Sequence, residues 1–481
     1  MLRLAAGYPA AMVTPTTVDS ATGAGFLRAI SATLPSVSVL TDPLDLESYR
    51  RDETAYLEPP PPLAVALPTT TAEVAGLVRL AAEHRVPIVP RGAGSGLSGG
   101  AISVAGGLTI SFMRMNRILE IDHANLVVVT QPGILNAALK RAVAAEGLFY
   151  APDPASTEIC SIGGNLGTNA GGLCCMKYGV TRDAVVGLEI VTAAGEIVRL
   201  GGKTTKDVAG YGLIPLIVGS QGTLALITEA TLRLRPTPPP KSTLLAFFPS
   251  LASAGDAVSA MVVAGVEPCT LELMDRTTIR AVDDDHNLGL DRDAAAMLMI
   301  ESDLPGAAAT RALEIAEAAC LGAGAASTIV AADQAEADML RQARRLAFNS
   351  MERLGVARME DVGVPRGRVP ELLAEIERIA AEQGLLIATF GHVGDGNLHP
   401  NIILDRDDPD GEAKLGRATD ALYRAAIALG GTVTAEHGIG ASRRDYLELQ
   451  RGSGAVAMMR AVKAALDPLG ILNPGKVLPE A

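Results

Sequence analysis

The stretch PRGAGSGLSGGA (Pro90–Ala101) decides how the first half of this 481-residue chain is read. Ahead of it, TTAEVAGLVRLAAEHR (Thr70–Arg85) has the period of a helix capped by Thr70 or Thr71, with Val74, Leu77, Val78 and Ala81 on one apolar face. VPIVP (Val86–Pro90) then reads as a short strand. Within the quoted stretch, Gly94-x-Gly96-x-x-Gly99 satisfies the GxGxxG pattern of dinucleotide folds. That pattern works only where a helix opens at the third glycine, so that its N-terminus faces a pyrophosphate. Here Gly100 to Gly107 follow, and then LTISF (Leu108–Phe112), again a strand. No helix start is present, so a nicotinamide-dinucleotide site is disfavoured.

The same glycines suit a different task. Glycine accepts positive φ and close approach, so successive backbone N–H groups can turn inward as an anion nest. ICSIGGNLGTNAGG (Ile159–Gly172) supplies a second run, with Ser, Thr and Asn donors added. One such loop reads equally well as a tight turn. Two of this density fit an extended diphosphate held between them.

Composition narrows the class. Hydrophobic residues make up 48% and charged residues 20%, as in a folded globular chain, and the length calls for more than one structural unit. Net charge is −13 with no basic run, which speaks against a nucleic-acid partner. The five cysteines (Cys160, Cys174, Cys175, Cys269, Cys320) include a vicinal pair but no CxxC spacing, disfavouring a zinc ribbon or an iron–sulfur cluster. Free thiols, and a start (MLRLAAGYPAAMVTP) broken by Gly and Pro before any signal-peptide core, point to the cytoplasm. No run of 18 apolar residues occurs, so no spanning segment is expected, while peripheral membrane attachment stays open.

Alternating helices and strands continue through a helix from Leu135 to Glu146 and PLIVGSQGTLALITEATLRLRP (Pro215–Pro236). PTPPPK (Pro236–Lys241) marks a boundary, because Pro cannot continue a ladder. Beyond it, Ala-rich helices are expected at Ser250–Val263, Ala307–Leu321, Asp333–Leu354 and Val369–Gln383, with strands such as LLAFF and AAMLMIES between them. That texture predicts a second α+β unit with an antiparallel sheet.

Of the six histidines, three fall between His392 and His437. In GHVGDGNLHPN (Gly391–Asn401), GDGN reads as a hairpin turn that sets His392 and His399 side by side across the two strands. In AEHGIG (Ala435–Gly440), Glu436 and His437 face opposite ways if extended. A lone histidine is usually a satisfied core or surface residue; this set is unusual without a shared task. Two imidazoles and a carboxylate leave open positions on Zn or Mn for a substrate hydroxyl and carboxylate. A neighbouring histidine can then take the proton.

PRGAGSGLSGGA, DPASTEICSIGGNLGTNAGG, VGSQGTLALIT and NPGKVL resemble the FAD-binding motifs of the vanillyl-alcohol-oxidase-type flavoproteins. The nearest branch is the glycolate oxidase flavin subunit, D-lactate dehydrogenase and D-2-hydroxyglutarate dehydrogenase group, and the likeness runs from roughly residue 40 to the C-terminus. The resemblance implies an α+β fold: a two-part FAD-binding domain over 1–237, an α+β cap domain with an antiparallel sheet over 238–435, and a segment over 436–481 that returns to the FAD domain. It implies FAD contacts from Arg91, Gly92, Ala93, Gly94, Ser95, Gly96, Ser98, Gly99, Pro154, Ser161, Gly164, Asn165, Gly167, Asn169, Gly171, Gly172, Ile227 and Asn473. Gly94-Ser95-Gly96 stands where covalently attached members often place a His, so the flavin is expected to be non-covalent.

The resemblance also implies His392, His399 and Glu436 as ligands of a divalent metal, His437 as base, Asn401 near substrate and Arg344 as the grip on the substrate carboxylate. From the residues alone Arg344 reads equally well as a surface helix charge. Phe348 and Met359 stand where hydroxyglutarate enzymes look to carry a threonine and a lysine, which favours a small monocarboxylate such as D-lactate or glycolate. The expected activity is oxidation of a D-2-hydroxy acid to the 2-oxo acid, with electrons passed to an external quinone, cytochrome, electron-transfer flavoprotein or partner subunit. A D-2-hydroxyglutarate dehydrogenase or the flavin subunit of a multi-subunit glycolate oxidase is the alternative; oligomeric state, a homodimer included, stays open. An NAD-dependent dehydrogenase and a non-catalytic flavin or scaffold subunit are the competing classes.

Overall fold

The computed structural model describes residues 19–54 and 56–480; the reading of the first fifteen residues lies outside them. After a helix, Ser20–Thr33, comes a mixed sheet of β1 (Ser38–Leu40), β2 (Ala64–Leu67), β3 (Ile88–Arg91) and β4 (Leu108–Ser111), ordered β1-β2-β4-β3. β2 and β3 each run parallel to β4, which is why a helical crossover, Thr71–His84, separates β2 from β3. Thr70 caps that helix through Glu73 N–H, and Val74, Leu77, Val78 and Ala81 are buried against the sheet, as the periodicity predicts.

The chain continues as β5 (Ile118–Asp122), β6 (Val127–Thr130), β7 (Leu148–Phe149), β8 (Val185–Val191), β9 (Ile197–Gly201), β10 (Leu226–Arg233) and β11 (Arg235–Pro236). Five of these form an antiparallel sheet, β5-β6-β10-β8-β9, while β7 and β11 pair as a two-residue ribbon. Pro236 therefore ends a ladder rather than standing clear of one.

From Ser242 onward a single antiparallel sheet dominates. It comprises β12 (Ser242–Phe248), β13 (Thr270–Asp275), β14 (Ala296–Ser302), β15 (Ser327–Val330), β16 (Val356–Met359), β17 (Val362–Gly363), β18 (Leu386–His392) and β19 (Asn397–Leu404). Their order is β15-β12-β14-β13-β18-β19-β16, with β17 on β19. β14 is buried along its whole length, which explains its unbroken run of Ala, Met, Leu and Ile. Helices Leu251–Val263, Ala307–Gly322, Val369–Gln383 and Gly411–Ala428 cover one face. Helix Arg276–His286, Leu340, Ala347 and Met351 cover the other.

Two expectations are corrected. Ile159–Gly172 is not an open loop: Ile162–Thr168 forms a short helix, with Ser161 accepting from Gly164 N–H and Asn169 closing it in the left-handed region. Asp333–Leu354 is two helices, Gln334–Arg345 and Ala347–Met351, which meet at Leu346. The C-terminal stretch comes back to the first sheet, where Leu472 bridges Ile88 and Asn473 N–H donates to Ile88 O at 2.7 Å. All five cysteines are free thiols. Among the described residues no helix is long and apolar enough to cross a membrane.

Candidate active site

A cavity of about 1180 Å³ runs between the glycine loops and the large antiparallel sheet. That exceeds the roughly 300–1,000 Å³ of an ordinary small-ligand pocket. Arg91 to Ser98 form one wall, with Pro154, Ser161, Gly164, Asn165, Gly167 and Ile227 beside them. The loop from Ser95 to Gly107 contains no helix, which removes the nicotinamide reading at the level of backbone.

Glycine is required here by close approach. A Cβ at Gly92 would lie 2.2 Å from Ser161 Oγ, which already accepts from Ala93 N–H and Gly164 N–H. Gly94 sits at φ +82°, in the region that favours glycine. These two positions leave bare backbone facing the cavity, the surface an extended dinucleotide needs.

Five of the expected contact residues lie off the cavity wall. Gly99, Asn169, Gly171, Gly172 and Asn473 shape the backbone around it instead. Asn169 accepts Arg182 N–H, and Asn473 Nδ2 donates to Gly100 O and Gln221 O, tying the C-terminal segment to the first loop.

The other end of the cavity gathers His392, His399, Glu436, His437 and Arg344. His399 pairs in register with Phe390 and His392 with Asn397, so the two histidines are diagonal neighbours on one face, not direct opposites. Their rings meet edge to face, 5.2 Å between centroids. Glu436 Oε2 reaches both, 3.2 Å from His392 Nε2 and 3.7 Å from His399 Nε2. Ligands about 2.1 Å from one tetrahedral ion stand about 3.4 Å apart, so this spacing fits a shared divalent cation. Burial, reinforced by His392 and His437, lowers the His399 pKa to about 3, leaving a neutral imidazole suited to ligation. Although burial opposes it, Glu272 and Glu436 raise the pKa of His392, so a cation there would displace a proton.

Glu436 and His437 do not diverge along an extended strand. The loop closes around Asp361, whose Oδ2 accepts from Ala435, Glu436 and His437 N–H and from the Thr434 hydroxyl. Both side chains consequently line the same cavity. His437 stacks on His399, and its Nδ1 is buried without a partner. Burial would raise the Asp361 pKa, but His437, His399 and Arg443 hold it far below the usual carboxylate range.

Arg344 is buried at the end of helix Gln334–Arg345, stacked over Phe390 with its Nε unpartnered. It is a cavity residue rather than a surface charge. Phe348 and Met359 also line the cavity. Asn401 does not: it is fully buried in β19, where its Nδ2 donates to Ala388 O and His399 O. Asp361 and Glu272 went unnoticed in the sequence; a Glu360-Asp361 pair ahead of a strand was the only available signal.

A family model described as FAD binding domain matches residues 62–201, and FAD linked oxidases, C-terminal domain, matches residues 237–477. The chain is 44% identical over 430 residues to the glycolate oxidase subunit GlcD of Bacillus subtilis, covering 89% of this chain and 91% of that one. The chain belongs to the FAD-linked oxidases of the vanillyl-alcohol-oxidase type. This FAD-linked oxidase is also 36% identical to a D-lactate dehydrogenase of Anaerostipes hadrus, covering 90% of this chain and 92% of that one. p-Cresol methylhydroxylase shares the fold of the FAD-linked oxidase at a TM-score of 0.80 and 18% identity, over 96% of this chain and 98% of that one. The protein is an FAD-linked oxidoreductase, and the bare-backbone wall is where its FAD-binding domain meets the cavity.

Proposed function

We propose that this chain oxidises a small D-2-hydroxy acid, D-lactate or glycolate, to the 2-oxo acid. The observation that carries the reading is convergence: His392, His399, Glu436, His437 and Arg344 close one end of the cavity whose other wall is the glycine loops. FAD, held non-covalently by the cavity wall from Arg91 to Ser98 and Ser161 to Gly167, supplies the acceptor for the hydrogen and two electrons leaving Cα. A divalent Zn or Mn held by His392, His399 and Glu436 supplies the Lewis acid that polarises the substrate hydroxyl.

The protein groups do the rest. Arg344 offers its guanidinium to the substrate carboxylate, and its pairing with Glu272 and stacking on Phe390 keep the guanidinium plane fixed. His437 takes the hydroxyl proton; its ring plane is set by His399 and its backbone N–H by Asp361. Phe348 and Met359 supply no charge for a distal carboxylate, which favours a short substrate over D-2-hydroxyglutarate.

The domain division follows the same reading: FAD domain to residue 237, cap to 435, and a returning segment beyond. The Bacillus relative is a glycolate oxidase subunit, which supports a second version in which this chain is the flavin subunit of a multi-subunit oxidase. Electrons then pass to a partner subunit rather than to a quinone, a cytochrome or an electron-transfer flavoprotein. We place the protein in the cytoplasm, with peripheral membrane attachment and homodimerisation open.

The test is a visible spectrum of the purified protein followed by anaerobic titration with a panel of 2-hydroxy acids. The reading expects a yellow protein bleached by D-lactate or glycolate. A colourless protein that takes up no FAD, or a flavin that no 2-hydroxy acid reduces, would overturn it.

A further inference from the structure

Glu272 lies outside the cavity wall yet supports two of its walls at once. It sits in β13, one residue before Leu273, which pairs with Gly391, so the register places it beside His392. Its side chain is 1% exposed. Oε1 stands 2.7 Å from His392 Nδ1, and Oε2 stands 2.7 Å from the nearer guanidinium nitrogen of Arg344. One oxygen hydrogen-bonds His392 and the other makes a charge contact, without hydrogen-bond geometry, to Arg344, so a single buried carboxylate faces two parts of the site.

We infer that Glu272 is a positioning residue that joins the metal half of the site to the carboxylate-binding half; the inference rests on the function proposed above. Accepting from Nδ1–H fixes Nε2 as the nitrogen that faces Glu436, so loss of its proton would present the lone pair a cation requires. The charge pair and the stacking on Phe390 hold the plane of the Arg344 guanidinium at the cavity wall. A carboxylate alone performs both tasks. An amide keeps one acceptor oxygen and turns donors on its second partner; a methyl group keeps neither.

The two halves separate in two variants of the FAD-loaded protein, each stripped with chelator and titrated with Mn²⁺. Glu272→Ala is expected to weaken Mn²⁺ binding by about 10–100-fold, the range for losing the carboxylate behind a ligating imidazole. Glu272→Gln restores Mn²⁺ binding to within a few-fold of wild type, because its oxygen still accepts from His392. At saturating Mn²⁺, Glu272→Gln still shows a KM for D-lactate raised by about tenfold with kcat little changed, since the ion pair to Arg344 is gone. A purely structural carboxylate would lower thermal stability in both variants without dividing the two effects.

Wild-type Mn²⁺ affinity in Glu272→Ala, or a wild-type KM in Glu272→Gln, overturns the inference. His392→Ala serves as the control. If it binds Mn²⁺ normally, the metal site itself is wrong; if it loses Mn²⁺ while the Glu272 variants match wild type, only the role of Glu272 falls.

Discussion

The imidazole of His437 lies stacked on that of His399, 5.2 Å between centroids and 11° between planes. His399 turns its Nε2 toward Glu436, and both rings keep a buried Nδ1 without a hydrogen-bond partner. In the proposed reading His399 is a metal ligand beside Glu436, and its stacked neighbour His437 takes the proton. Removing His437 should therefore spare the flavin and stop the chemistry. His437→Ala is expected to keep its yellow colour and its metal, with flavin reduction slowed about 10²–10⁴-fold, the usual worth of a positioned base. Anaerobic stopped-flow bleaching reads this directly.

His392 and His399 predict the complementary phenotype. His392→Ala or His399→Ala should retain FAD and lose bound metal, read by metal analysis after desalting. Equal metal in wild type and both variants would remove the three-ligand site.

Arg344→Lys keeps a positive charge and loses the planar fork. Its KM for a 2-hydroxy acid should rise about tenfold or more while the flavin spectrum stays unchanged. A KM equal to wild type would show that the carboxylate is held elsewhere.

Gly92→Ala adds a Cβ 2.2 Å from Ser161 Oγ and 3.2 Å from Gly164 N, both on the wall facing the flavin cavity. The variant should fold, by circular dichroism, and leave purification with substantially less FAD than wild type.

Asp153 ties Lys140 on the FAD side to Arg345 on the helix that carries Arg344, at 2.8 and 2.6 Å. Burial raises its pKa, but Lys140 and Arg345 outweigh this and bring it down to about 2. A depressed carboxylate stabilises the fold above its unfolded pKa of about 3.9, and the contribution disappears as pH falls from there toward 2. The shift is worth roughly 2 kcal/mol at neutral pH. Urea unfolding should show Asp153→Asn less stable than wild type by about that amount at pH 7, with the gap closing below pH 4.

Much of this was readable from local pattern. Gly94 to Gly107 declared itself by what was missing, a helix start, and GDGN declared the hairpin that carries His392 and His399 because turn chemistry is local. Helix Ile162–Thr168 was hidden because three of its seven residues are glycine, the poorest helix former after proline; Ser161 and tertiary contacts override that propensity. The loop at Glu436 takes its shape from Asp361, which lies 75 residues earlier, so local sequence does not reveal it. Glu272 stands 120 residues before His392, and only the β13–β18 register brings them together. Asn401 matched a motif, yet its buried place is decided by two carbonyl partners that no motif records.

The most direct test is anaerobic reduction of the bound flavin by D-lactate and by glycolate, in metal-replete wild type and in the same protein stripped by chelator. Rapid bleaching of the flavin by at least one of the two acids is expected when metal is present. That bleaching should slow strongly on stripping and return when Zn²⁺ or Mn²⁺ is restored. Equal bleaching with and without metal, or none with either acid, would contradict the account.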